Sequence, residues 1–185
     1  MRKFFVVLMA ACCLPVFVSR AQDTNAPKTE IEVFEAQTGA VIVEGFGQTG
    51  TMSVGATVIS VRCKESVNVN TGRKAYGLTV DFTEGNHPRE RFFVDYDEID
   101  SLLNGINYLV KITYDVTPLP GFEAFYSTKS GLRVVAYSSK RQGGIQTFLQ
   151  CPDRPRMALT SDQLTQFKGL IGQAKDTLDS IRAAK

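Results

Sequence analysis

Most of this chain alternates apolar and polar residues with a period of two, and twice it changes to a period near that of an α-helix. Short segments rich in β-branched and aromatic residues run from Glu30 to Ala36, Ala40 to Phe46, Met52 to Cys63, Lys74 to Phe82 and Arg89 to Val94, separated by Gly and polar turns. This pattern predicts a meander of strands. The period then changes. Ile99, Leu102, Leu103 and Ile106 follow helical spacing, Asp95 with Glu98 three residues later forms a D-x-x-E variant of the capping box, and Gly105 is expected to shorten the helix.

The same plan then begins again. Tyr108, Val110, Ile112, Tyr114 and Val116 alternate with Leu109, Lys111, Thr113 and Asp115, which predicts a strand covered on one face. After Pro118, Pro120 and Gly121, further strands are expected at Phe122 to Thr128, Leu132 to Ser138 and Ile145 to Cys151. A second helix starts at Thr160-Ser161-Asp162-Gln163, a capping box in its standard form, and carries one apolar stripe through Leu164, Phe167, Ile171, Ala174, Leu178 and Ile181. Shifting by 65 residues lays Ile99 on Leu164, Leu102 on Phe167, Ile106 on Ile171, Asp95 on Thr160 and Glu98 on Gln163. The expectation is an α+β fold in which an antiparallel β meander followed by an α-helix occurs twice, ββββα-ββββα, with the C-terminal helix packed on the sheet. Residues 30–185 then form a single duplicated domain, with repeats 30–107 and 108–185 after a loose N-terminus at 22–29.

In outline this plan resembles the whirly and PC4-like fold, where two ββββα units make a strongly twisted sheet with helices packed on it. The resemblance covers nearly the whole chain after its leader and is architectural. The whirly family's Lys-Gly-Lys-Ala-Ala-Leu motif has only a loose counterpart in Gly72-Arg73-Lys74-Ala75-Tyr76-Gly77-Leu78, so single-stranded DNA binding does not carry over from it.

The first 21 residues change where the protein is expected to work. Arg2 and Lys3 precede an apolar stretch from Phe4 to Val18, and Ser19-Arg20-Ala21 offers small residues at the cleavage-determining positions, which predicts a signal peptide over 1–21 and a periplasmic or secreted protein. The alternative is a lipoprotein anchored at Cys12, for which Met9-Ala10-Ala11-Cys12 is a weaker lipobox. The apolar stretch is short of the roughly 18 residues a membrane-spanning helix needs. Without the leader, 18 basic residues stand against 19 acidic ones, so global charge gives no support for binding nucleic acid or anionic lipid. Charge is uneven instead: 22–107 holds 7 basic and 13 acidic residues, 108–185 holds 11 and 6. This favours attraction between the halves; the sharper reading is an anion or partner surface at Lys129, Arg133, Lys140, Arg141, Arg154 and Arg156. Cys63 and Cys151 remain in a compartment that permits a bridge between them, the alternative being two buried thiols.

Candidate chemistry narrows the picture mostly by exclusion. Gly45-Phe46-Gly47-Gln48-Thr49-Gly50 matches G-x-G-x-x-G, but a β-branched run follows it where a dinucleotide loop opens a helix, so a hairpin turn is expected. Asp95, Asp97, Glu98 and Asp100 crowd four carboxylates at a helix start, where acidic residues are favoured anyway, and the glycine of a calcium loop is missing. His87 is the sole histidine, which removes the usual zinc sites. No metal or cofactor is expected. The leading expectation is an exported, non-catalytic binding or interaction domain of a bacterial envelope, with an unknown protein or small ligand as partner and self-association compatible with the charge asymmetry. An enzyme of unrecognised type would draw on Asp97, Glu98 and His87. Single-stranded nucleic-acid binding would need a basic sheet face with exposed aromatics such as Tyr126 or Tyr137, and it conflicts with export.

Overall fold

Thr29 begins a helix where the alternation of Ile31 and Val33 predicts a strand. The computed structural model describes residues 28–139, 143–152 and 154–184, so the expected signal peptide over 1–21 lies outside the described residues. The Thr29 hydroxyl accepts from the Glu32 amide and the Glu32 carboxylate accepts from the Thr29 amide, a complete capping box. Helix α1 spans Glu30–Glu35 and buries Ile31 and Phe34, three residues apart, instead of alternate positions. The six-residue segment fits either period, and the cap decides it.

Four antiparallel strands follow, β1 (Ile42–Val54), β2 (Thr57–Asn68), β3 (Lys74–Glu84) and β4 (Glu90–Asp95), in sheet order β1-β2-β3-β4. The glycines from Gly45 to Gly50 form part of β1 and not the expected hairpin turn. The register slips between Gln48 and Gly50, and the chain reverses at Gly55, whose φ of +58° suits glycine. Gly47 and Gly50 serve close packing: a Cβ at Gly50 would stand 2.6 Å from Leu170 Cδ2.

A 3₁₀ turn at Tyr96–Glu98 leads into α2 (Ile99–Val110). The expected D-x-x-E box is not formed, because neither Asp95 nor Glu98 makes a side-chain bond to the helix start. Both carboxylates are committed elsewhere. Nor does Gly105 shorten the helix: it is the point where the Tyr126 ring crosses, 2.6 Å from an added Cβ. Ile99, Leu102, Ile106 and Leu109 continue one buried stripe, so α2 runs through the division drawn after Asn107. The predicted strand from Tyr108 to Val116 is therefore replaced by the helix end and a 3₁₀ turn at Tyr114–Val116. Tyr108, Val110 and Val116 are exposed, while Leu109 and Ile112, three apart, are buried.

The second sheet repeats the first in order, β5 (Gly121–Ser127), β6 (Arg133–Ser139), β7 (Ile145–Gln150) and β8 (Met157–Leu159), all antiparallel. Helix α3 (Ser161–Ala183) follows with both capping-box bonds of Thr160 and Gln163 in place. The chain is thus an α+β protein built twice from a four-stranded antiparallel meander and a helix. Strand β8, just three residues long, lies beyond the reading that ended at Cys151.

The helices are exchanged between the halves. α3 lies against β1, β2 and β3 of the first sheet, and α2 lies against β5 and β6 of the second and against α3. Inner-face residues of both sheets, among them Ile59, Val61, Leu78, Val80, Val134 and Leu149, join the two helix stripes in one apolar core. Burial of that shared surface holds the repeats together.

Candidate binding surface

Alternation along a strand sends every second side chain away from the core. On the first sheet this places Phe46, Arg62, Lys64, Asp81, Arg91 and Phe93 on the outer face, opposite Val61, Cys63, Val80 and Phe92. Asp81 is almost fully buried there, with 2% of its side chain exposed. Its carboxylate accepts from Arg62 Nη2 at 2.6 Å, Arg89 Nη2 at 2.5 Å and Arg91 Nε at 2.8 Å. Three guanidinium groups around one carboxylate leave two positive charges over, and all three reach solvent, with 22%, 43% and 29% of their side chains exposed.

Next to this cluster, Lys64 is buried with its ammonium 2.6 Å from Glu35 and 3.0 Å from Glu44. Its nitrogen also stands 5.0 Å from the Phe46 ring centre and 4.9 Å from that of Phe93. Arg62 and Arg91 approach the Phe46 ring at 5.2 and 5.8 Å, within cation–π range. Helix α1 closes the other end of the face: Ile31 packs on Gly77, Glu35 accepts from the Ser66 hydroxyl, and Gln37 accepts from the Asn68 amide. The face therefore divides into an end covered by α1 and an open arginine end bordered by Phe46.

The second sheet carries a related pair. Arg133 stacks 4.8 Å from the Phe125 ring centre, and Phe125 is 53% exposed. In β1 and β2 the arginine pairs with the residue two beyond the phenylalanine, Gln48 opposite Arg62. In β5 and β6 Ser127 stands opposite Arg133 in the same relation to Phe125. Both repeats thus present a Phe on the first strand and an Arg diagonally across on the second. Tyr137 is exposed beside the second pair, whereas Tyr126 faces inward onto Gly105 and bonds Ser101.

The acidic residues at the start of α2 join the halves. Asp95 accepts from the amides of Glu30 and Ile31 and from Lys129 Nζ at 3.0 Å, and Asp97 lies 3.3 Å from the same ammonium. Burial opposes the charge of Lys129, but hydrogen bonds and charge from Asp95 and Asp97 outweigh it and hold its pKa above the ordinary value. Glu98 accepts from the Lys129 amide at 2.8 Å, and its other oxygen is buried without a partner. Burial raises the Glu98 pKa, opposed by the Lys129 amide and ammonium and aided by Asp95 and Asp97.

Of the six basic residues singled out from the sequence, the four that are described each have a partner of their own. Lys129 is paired as described, Arg154 bonds Glu84 at 3.2 Å and Glu90 at 3.0 Å, Arg156 bonds Glu123 at 2.8 Å, and Arg133 stacks on Phe125. Lys140 and Arg141 lie outside the described residues. Lys129 and Arg154 both reach acidic residues of the first repeat, so part of the opposite charge of the halves meets at their junction.

Two clefts separate the acid–base candidates. One of about 720 Å³ is lined by Asp97, Lys129, Tyr76, Tyr96 and Arg182, whose guanidinium lies 3.8 Å from the Tyr96 ring centre. The other, about 610 Å³, holds His87 with Glu84, Glu90 and Arg154. Asp97 and His87 thus do not share a cleft, and Glu98 lines neither. Cys63 and Cys151 are buried free thiols, Cys63 donating to the Gly47 carbonyl at 3.4 Å. Burial, aided by Glu90 and opposed by Arg154, pushes the Cys151 thiol up to about 12, far from the reactive thiolate range. No group of metal-ligating side chains is present among the described residues, and none of their helices is long and apolar enough to cross a membrane.

Reading the sequence for motifs misses Asp81, Arg62, Arg89, Arg91, Phe46 and Phe93. The signal that could have found them is the polar phase of the strands, where Arg62 and Lys64 alternate with Val61 and Cys63. No protein-family model matches the chain, and no curated protein matches its sequence.

Proposed function

We propose that this chain is an exported binding domain of a bacterial envelope that engages an anionic ligand or partner through the outer faces of its sheets, without catalysing a reaction. The observation that carries this reading is the excess of three arginines over the one buried carboxylate of Asp81, beside the half-exposed ring of Phe46. The related Arg133 and Phe125 pair in the second repeat supports it. Two of the acid–base candidates have structural partners, Asp97 pairing with Lys129 and Glu98 holding the Lys129 amide, and Asp95 beside them caps α1, which supports a binding role. Export rests on the leader at 1–21, with cleavage after Ala21.

Two measurements test the proposal. The N-terminal mass of the exported protein should start at Gln22; a diacylglycerol-modified Cys12 would replace the soluble form by an anchored one. The mature chain, although its acidic residues slightly outnumber its basic ones, should be retained on a sulfopropyl matrix at low ionic strength and neutral pH. Local charge patches bind where net charge does not. Arg62→Ala with Arg133→Ala should abolish retention; flow-through of the wild type would refute the surface.

A further inference from the structure

We infer that the arginine end of the first sheet is a site for a phosphate monoester, an inference that rests on the binding reading above. The cluster has the charge and the free donors this group requires. Each guanidinium has five N–H donors, and each reaches Asp81 through a single nitrogen: Nη2 of Arg62, Nη2 of Arg89 and Nε of Arg91. Of the donors not spent on Asp81, Arg62 Nε is buried without a partner, and guanidinium N–H groups suit the oxygens of a tetrahedral oxyanion. Asp81 is too buried to meet the guest and orients the arginines from beneath.

Charge selects among anions. Three cations and one carboxylate leave two positive charges, which a phosphate monoester, carrying about −1.5 to −2 at pH 7, neutralises. A carboxylate or phosphodiester, with a single charge, leaves one unmatched. Glu35 and Glu44 share the one Lys64 ammonium, and the negative charge they leave over stands on the α1 side of Phe46, with Glu44 opposite Ser66, four residues along β2 from Arg62. Phe46, 45% exposed, provides an apolar shoulder for the organic part of the ester. The group could belong to a soluble monoester or to a lipid headgroup of the phosphatidic acid type, which present the same chemistry.

Calorimetric titration of the mature chain at low salt with phenyl phosphate and with benzoate tests the site, because both probes carry the same ring and differ in charge. Phenyl phosphate should saturate one site and bind at least about tenfold more tightly than benzoate. Arg89→Ala should weaken it by about tenfold or more, the scale of one charge-assisted hydrogen bond, while Lys168→Ala should leave it unchanged. Arg89 keeps 43% of its side chain exposed and leaves Arg62 and Arg91 on Asp81 when removed, so its variant should fold, and Arg91→Lys gives a second test of fork geometry with charge retained. Flotation with vesicles of phosphatidylcholine plus phosphatidic acid, but not phosphatidylglycerol, assigns the lipid source; tight phenyl phosphate binding without flotation assigns the soluble one. Equal affinity for the two probes, or an unchanged affinity in a folded Arg89→Ala, overturns the inference. Retention on sulfopropyl matrix without monoester preference would sink this site and leave the binding reading standing. Release of phenol would retain the site and refute the absence of catalysis.

Discussion

Replacing Phe167 by Ala tests the exchange of helices on which the architecture depends. Phe167 is fully buried in α3, three residues before Leu170, whose Cδ2 sits over Gly50 of β1. Its removal forfeits about 1.5–3 kcal/mol of transfer free energy and leaves a cavity that adds to it, so the expected loss is about 3–5 kcal/mol. Against a typical total of about 5–15 kcal/mol the variant should still fold, with Tm lowered by about 6–20 °C at this chain length. Urea unfolding of mature wild type and variant measures the loss. Hydrogen exchange then locates it: because α3 belongs to the second repeat yet covers the first sheet, amides of Ile59, Val61, Leu78 and Val80 should exchange faster in the variant. A loss below about 1 kcal/mol, or faster exchange confined to β5, β6 and β7, would refute the exchanged packing.

The same architecture predicts that 22–110 and 111–185, expressed separately, are aggregated or partly ordered, because each sheet loses the helix that covers it; co-expression should recover a soluble complex. Cooperative unfolding of either monomeric half alone would contradict this. Gly77→Ala should destabilise by about 1–3 kcal/mol, since its Cβ would strike the Val94 carbonyl and Ile31. Gly169→Ala, open to solvent in α3, should stabilise by about 0.5–1 kcal/mol through helix propensity; urea midpoints decide both signs. Glu98 has a folded pKa above its ordinary 4.5, so the folded state binds the proton more tightly. Its contribution is fully present below 4.5 and is lost as pH rises through the raised value. The Tm of Glu98→Gln relative to wild type should therefore climb over that rise; parallel Tm curves would show that Glu98 is not held as described.

Local signals determined much of this protein. The capping box of Thr160 and Gln163, with a stripe from Leu164 to Leu178, specifies α3 because the orphan amides and the apolar face lie within one segment. Most strands of both sheets follow from alternation and turn glycines, and so does the repeat of meander and helix. Thr29 and Glu32 carried an equally good local signal for α1, which the alternation of Ile31 and Val33 obscured. What the tertiary structure decided is what depends on distant partners. Asp95 and Glu98 look like a cap until α1 and the Lys129 turn claim their oxygens. Gly105 looks like a helix stop until Tyr126 needs the space. Which sheet each helix covers, and that Arg62, Arg89 and Arg91 converge on Asp81 from 8 to 19 residues away, follow from strand register and shared burial. A pattern of periods along the chain fixes which face a residue occupies, but the partner on that face comes from another segment, and no local rule names it.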